Sequence, residues 1–268
     1  LKIKPLILVI LIASFEVFTM NAQSSGSHEI GLFVGAASFQ TDYGQRNHFM
    51  SNVGGNIGTS VGLVYYYQFA DYRYQWYSRG SFFNEHFKLR ADLSYANAKL
   101  NHFGKWVDEP NPKGDETQRD QIRAMTGTAT VYSLGTQLEF YYKDVVDYGL
   151  RYYGTVFNPY AGIGLQLAYS KPTYTYDPSR AWGPVPPTET YYRWAGPGDI
   201  NTDKRFTGAV TLNFGTRIAL GEYSDLIIDS RWHYYMTNYI DALHAHDKDD
   251  KYNDWMLLVQ IGYVFYLD

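Results

Sequence analysis

The sequence has 268 residues, a formal net charge of −4, no cysteine and an aromatic share of 18% that includes 27 Tyr. Those values exclude disulfides, thiolate metal centres and a lipid-modified Cys, and with no basic stripe they give no electrostatic reason for a nucleic-acid partner. Tyrosine suits strands and membrane–water boundaries, and many of the 24 Gly fall in alternating stretches where a helix would suffer.

Lys2 and Lys4 precede an almost wholly apolar run from Pro5 to Phe18, interrupted at Glu16, and Ala22 stands before Gln23. This predicts a secretory signal peptide over 1–22. The run is shorter than the roughly 20 residues a spanning helix needs. Residues 23–268 then read as one domain. Apolar and polar residues alternate with period two at 28–40, 57–69, 85–100, 128–142, 155–170, 204–220, 225–237 and 254–268. Most of these reach the ~9–11 residues that a tilted strand needs to cross a bilayer.

In 128–142, Tyr132, Leu134, Leu138, Phe140 and Tyr142 alternate with Ser133, Gly135, Gln137 and Glu139. In 204–220, Phe206, Val210, Leu212, Phe214, Ile218 and Leu220 alternate with Thr211, Asn213, Gly215 and Arg217. The apolar faces begin or end in Tyr, Trp or Phe. The expected fold is all-β: a closed, antiparallel, up-and-down transmembrane β-barrel of about eight strands, because backbone polar groups in hydrocarbon must all be paired.

Connections 41–56, 101–127, 171–203 and 238–253 are mostly long and polar, whereas 143–154 and 221–224 are shorter. The long set is therefore placed outside the cell and the termini in the periplasm. The segment 70–84 is long for a periplasmic turn, and its Tyr72, Tyr74, Trp76, Tyr77, Phe82 and Phe83 make it the candidate contact for a periplasmic protein partner. The Pro- and aromatic-rich 171–203 is expected to cap the external mouth.

The polar face carries charge. Glu29, Asp92, Glu139 and Asp229 face inward, as do Lys88, Arg90, Arg217 and Arg231, with His233 nearby in sequence. Unpaired ions in a narrow lumen are costly, so these groups are predicted to pair and to plug the barrel. Inward glycines (31, 35, 58, 62, 162, 164 and 215) would leave room for the larger side chains.

Phosphate-loop, dinucleotide, zinc-protease and serine-hydrolase motifs are absent from the sequence. His244-Ala245-His246-Asp247 has metal-ligand chemistry but reads as a solvated loop tip. Asp229, Arg231 and His233 share one face of a strand. A hydrolase needs a nucleophile beside His233, which is placed near the external rim, and none is identifiable, so a hydrogen-bonded interior histidine is expected. The chain is thus expected to be non-enzymatic and without a cofactor. A small-solute pore or an outer-membrane hydrolase is the competing reading. At the C-terminus, Gln260, Gly262, Phe265 and Leu267 are spaced as in the terminal signal read by the barrel assembly machinery, with Asp268 departing from the commoner aromatic end.

The opening His28-Glu29-Ile30-Gly31-Leu32-Phe33-Val34-Gly35, followed by Phe39-Gln40-Thr41-Asp42-Tyr43-Gly44, resembles small outer-membrane β-barrels of the Bacteroidota. His86-Phe87-Lys88-Leu89-Arg90 and His102-Phe103-Gly104-Lys105-Trp106-Val107 resemble an uncharacterised flavobacterial family of that group. The first strand is also similar to the PorG-type barrel of the type IX secretion system, although Ala36-Ala37 departs from that family. The resemblance implies an outer-membrane location and contact with its lipid, and carries no functional residue.

Overall fold

The computed structural model describes residues 26–45, 48–69, 81–104, 107–108, 116–149, 156–183, 199–244 and 253–267. The predicted signal peptide lies outside them. So do Tyr72, Tyr74, Trp76 and Tyr77 of the predicted periplasmic contact.

Eight long strands form the barrel: β1 (Ser27–Gln40), β2 (Ile57–Gln68), β3 (Phe87–Asn101), β4 (Met125–Tyr141), β5 (Phe157–Ser170), β7 (Arg205–Ala219), β8 (Ser224–Tyr235) and β9 (Trp255–Tyr266). A ninth, β6 (Thr173–Tyr176), is a four-residue strip that pairs only with the start of β4. The sheet runs β3-β2-β1-β9-β8-β7-β5-β4, and β3–β4 pairing from Phe87↔Phe140 to Asn101↔Thr126 completes the ring. First and last strands are joined from Glu29↔Tyr266 to Gln40↔Trp255. Every pairing is antiparallel. The sheet therefore has no open edge within the barrel, as hydrocarbon requires.

Alternation decides which face is which. Leu32, Val34, Leu134 and Leu165 each expose about 60% of their surface on the outside (61%, 60%, 60% and 64%), while Glu29, Arg90, Asp92 and Glu139 between them are at most 3% exposed. Large apolar residues displayed all around a barrel with ions buried inside it make sense only if lipid is the solvent. This is the architecture of outer-membrane barrels.

The start of β1, the end of β9 and the tight 220–223 turn lie at one end of the barrel; the strand ends that flank 41–56, 102–124, 177–204 and 236–254 lie at the other. On the expectation from connection length, these are called the periplasmic and the external end. Short helices occupy several connections: α1 (Phe49–Gly55), α2 (Phe82–His86), α3 (Glu116–Ala124) and α4 (Val145–Gly149). Period-two reading missed them because each is at most nine residues long. It missed β6 because four residues amid prolines carry no resolvable period.

β3 and β4 outrun the membrane. Beyond Tyr95 and Tyr132 their outward residues become Asn97, Lys99, Thr130, Thr128 and Thr126, and their inward residues become Ala96, Ala98, Leu100, Val131, Ala129 and Met125.

Candidate functional site: the packed lumen

The lumen has two layers. The periplasmic layer is ionic, and each of its charged groups is delivered by strand alternation. Lys88 Nζ lies 2.5 Å from Glu29 Oε1, and Arg217 Nη1 lies 2.6 Å from Glu29 Oε2 and 3.3 Å from Asp225 Oδ2. Arg90 Nη1 reaches Glu139 at 3.2 Å and Asp229 at 3.6 Å. Arg231 bridges Asp92 at 2.6 Å and Asp229 at 2.8 Å.

Neutral groups fill further positions on Asp92, Glu139 and Asp229, although Arg90 Nε, Arg217 Nη2, Arg231 Nε and the side-chain oxygens of Gln137, Gln166 and Asn213 have no hydrogen-bond partner among the described residues. Gln137 and Gln166 donate to Asp92 at 3.0 and 2.8 Å, Asn213 and Tyr141 to Glu139 at 2.8 and 2.6 Å, and Tyr160 to Asp229 at 2.7 Å. The Arg90 guanidinium lies 4.8 Å from the Phe33 ring centroid, and that of Arg217 lies 4.4 Å from the Tyr66 ring centroid. Pairing of every charged group with an opposite charge is what makes buried charge tolerable. Glycine makes the room: a Cβ on Gly164 would lie 2.3 Å from Gln137 Cγ, and one on Gly262 would lie 2.5 Å from the Phe33 ring.

The structure thus brings together eight of the nine predicted lumen residues and adds Asp225, which is fully buried. The expected balance of four acids to four bases becomes five to four. The signal was available: Asp225 has the inward parity of Asp229 and Arg231, and it also accepts from Tyr266 Oη at 2.6 Å.

His233 is the ninth. It stands two residues from the external end of β8, with Met256 as its ladder partner and Tyr235 of the apolar layer beyond it. One expectation about it is corrected: it is not hydrogen-bonded. Neither ring nitrogen has a partner among the described residues, nor does Oγ1 of Thr211, its ladder neighbour.

The external layer is apolar. Ala37, Phe39, Ala96, Ala98, Leu100, Met125, Ala129, Val131, Tyr235, Met256 and Leu258 line it, and Tyr43, Ile240 and Leu243 enter from the loops. Asp241, fully buried, ties two of those loops together by accepting from the backbone N–H of Asp42 at 3.1 Å and of Leu243 at 2.8 Å. Burial and the nearby Asp42 charge hold the Asp241 carboxyl well above the usual carboxylate range. Burial pushes the His102 imidazole down to about 3.

Of the expected cap from 171–203, Tyr174, Tyr176 and Ile200 pack against this core, and segments 41–43 and 240–243 add Tyr43, Ile240 and Leu243 to it. Residues 184–198 of that loop lie outside the described residues, as do His246 and Asp247 of the loop-tip cluster. No group of three or more His, Asp or Glu able to hold a metal occurs among the described residues.

The terminal strand gives each predicted signal position a place in the finished barrel. Gln260 donates to Ser60 Oγ at 3.0 Å, Gly262 lies under Phe33, and Phe265 and Leu267 face outward.

Comparison with solved structures finds small outer-membrane proteins over nearly the whole chain. Neisserial surface protein A aligns with a TM-score of 0.41 at 12% identity, covering 90% of this chain and 97% of its own. OprG from Pseudomonas aeruginosa gives 0.41 at 10% identity, with 91% and 98% covered. A major outer membrane protein from Thermus thermophilus gives 0.43 at 10% identity, with 90% and 99% covered. No protein-family profile matches the sequence, and no curated protein matches it.

Proposed function

We propose that this chain is an integral outer-membrane protein whose barrel conducts nothing and catalyses nothing, and that it serves as a structural or accessory subunit of an envelope complex. The observation carrying this reading is the doubly filled lumen: a hydrogen-bonded ion lattice below and a side-chain core above, both fully buried. A conducting pore needs a continuous aqueous path, and the buried ion pairs and the apolar layer occupy the space one would need. A hydrolase needs a base within hydrogen-bond reach of a nucleophile, and His233 makes no such bond.

Planar-bilayer recording of the purified protein is expected to show a flat baseline. Steady unitary steps would overturn the sealed-barrel reading. A link to type IX secretion rests on the resemblance of the first strand alone. Co-isolation of a defined periplasmic or outer-membrane partner in mild detergent is the expected result for a subunit, and recovery of the barrel alone in every detergent would count against it. We read Gln260, Gly262, Phe265 and Leu267 as the segment presented to the assembly machinery, where strand addition to an open edge demands a well-paired final strand.

A further inference from the structure

The outer surface of β3, β4, β5 and β6 carries a second feature. Tyr95, Tyr132, Tyr169 and Phe206 are consecutive ladder partners across β3, β4, β5 and β7. Their ring centroids are 5.1, 6.5 and 4.7 Å apart. On each strand the aromatic residue ends the apolar outward run: Leu93, Leu134, Leu167 and Leu212 lie on the membrane side. An aromatic row in this position marks the boundary with the headgroups.

Immediately beyond it the surface turns cationic and hydroxylic. Lys171 Nζ stands 4.8 Å from the Tyr132 ring centroid and 5.5 Å from that of Tyr169, which directs its ammonium along the boundary. Next to it, Asn97 donates to Thr130 Oγ1 at 2.7 Å. One step further lies a cavity of about 420 Å³ whose lining includes Lys99, Asn101, Thr126, Thr128, Asp177 and Arg180. Arg180 is anchored by donating to Asn101 Oδ1 at 2.5 Å. Asp177 is occupied by the backbone N–H and hydroxyl of Ser179, at 3.0 and 2.6 Å. Lys99 is exposed and has no ion-pair partner among the described residues. The two cations of the cavity exceed its one carboxylate, and Lys171 adds a third.

We propose that this face binds the phosphorylated sugar headgroup of a glycolipid in the outer leaflet. Threonine hydroxyls and asparagine amides suit sugar hydroxyls, and the three cations suit phosphate oxygens. The adjoining aromatic row and outward leucines suit the acyl chains, and this continuity with the lipid-facing surface selects a lipid-borne headgroup over a free sugar phosphate. The assignment rests on the outer-membrane reading above.

The test is native mass spectrometry of the full barrel released from detergent micelles, titrated with bisphosphorylated lipid A, the same lipid after dephosphorylation, and glucosamine 1-phosphate. Wild type is expected to retain the bisphosphorylated lipid at least tenfold more strongly than either other probe. The triple variant Lys99→Gln, Lys171→Gln, Arg180→Gln is expected to lose that preference, while Lys143→Gln at the periplasmic end keeps it. Equal retention by the triple variant, or equal binding of the dephosphorylated lipid, would overturn the assignment. Equal binding of glucosamine 1-phosphate would also overturn it and assign the cavity to a soluble ligand. Insertion into phosphatidylcholine vesicles, followed by the heat-dependent gel shift of a folded barrel, separates the two readings. Insertion without lipid A retention defeats only this inference, whereas failure to insert defeats the outer-membrane reading itself.

Discussion

Within one continuous lumen, the periplasmic layer is held by ions and the external layer by hydrocarbon. β3 shows the change along a single strand. Its inward residues run Lys88, Arg90, Asp92, Ser94, Ala96, Ala98, Leu100, while its outward residues run Leu89, Ala91, Leu93, Tyr95, Asn97, Lys99, Asn101. The two faces exchange polarity at Tyr95. β4 does the same at Tyr132. Below the exchange the outside solvent is lipid, so apolar side chains belong outside and the polar ones must satisfy one another within. Above it the outside solvent is water, and the same sheet becomes an ordinary soluble barrel with a greasy centre. Along β3 and β4, what differs between the layers is the solvent on the far side of the wall.

The comparison predicts different tolerances. Arg90 is the sharpest probe of the ionic layer, because its removal leaves Glu139 without a cation and takes one of two from Asp229. Arg90→Ala is expected to cost about 3–5 kcal/mol, the range for leaving a buried charge without its partner. Arg90→Lys should recover little, since one ammonium cannot reproduce a planar fork that also lies on the Phe33 ring. Urea titration of the folded barrel in micelles measures both. A loss within experimental error for the alanine variant would mean that the lattice is decorative and the layers are equivalent.

Leu258 probes the other layer from a fully buried position in the external core. Leu258→Ala is expected to cost about 2–4 kcal/mol through lost transfer energy and a residual cavity. Here the conservative change should be forgiven: Leu258→Met should cost less than about 1.5 kcal/mol, because apolar packing tolerates swaps of similar volume. The same titration gives the ratio. If both layers punish their conservative variants equally, chemistry does not distinguish them and only volume does.

The barrel was legible because period two over a dozen residues is a strong signal, and the register of β1 with β9 follows once the ends must meet. Inward charges were legible by parity alone, including Asp225, which was overlooked although its parity matches Asp229. Their partners were not. Arg231 meets Asp92 across the barrel, 139 positions away in sequence, and no local pattern encodes which wall faces which. The polarity exchange was visible at Tyr95 and Tyr132 only in hindsight. Ala96, Ala98 and Leu100 continue the alternation with inverted meaning, and alternation by itself does not say which side is lipid. The plug from 41–43 and 240–243 had no signal at all, because it depends on one buried carboxylate receiving N–H groups from two separate loops.

That carboxylate gives the finest probe of the division, since it accepts from both loops that seal the apolar layer. Asp241 has a folded-state pKa raised above its unfolded value. The folded form therefore binds the proton more tightly, and stability contributed by the plug falls as pH rises from near the ordinary carboxylate value of about 4 through the raised one. His102 slopes the other way: lowered to about 3, it weakens the fold as pH falls below about 6.5 and is level above that. Between about pH 6.5 and 9, where His102 is level and Tyr43 is un-ionised in both states, the pH dependence at this mouth tests Asp241. Hydrogen exchange is expected to show the amides of Asp42 and Leu243 losing protection on going upward in pH, after correction for intrinsic exchange, while ladder amides of β3 at Arg90 stay unchanged. In Asp241→Asn the slope should vanish, with overall stability lowered by only about 1 kcal/mol because the amide oxygen still accepts from both loops. A slope that persists in the variant would place the sensitive group elsewhere. A parallel loss at Arg90 would show that the two layers unfold as one unit, so that the solvent boundary at Tyr95 divides the chemistry of the lumen without dividing its cooperativity.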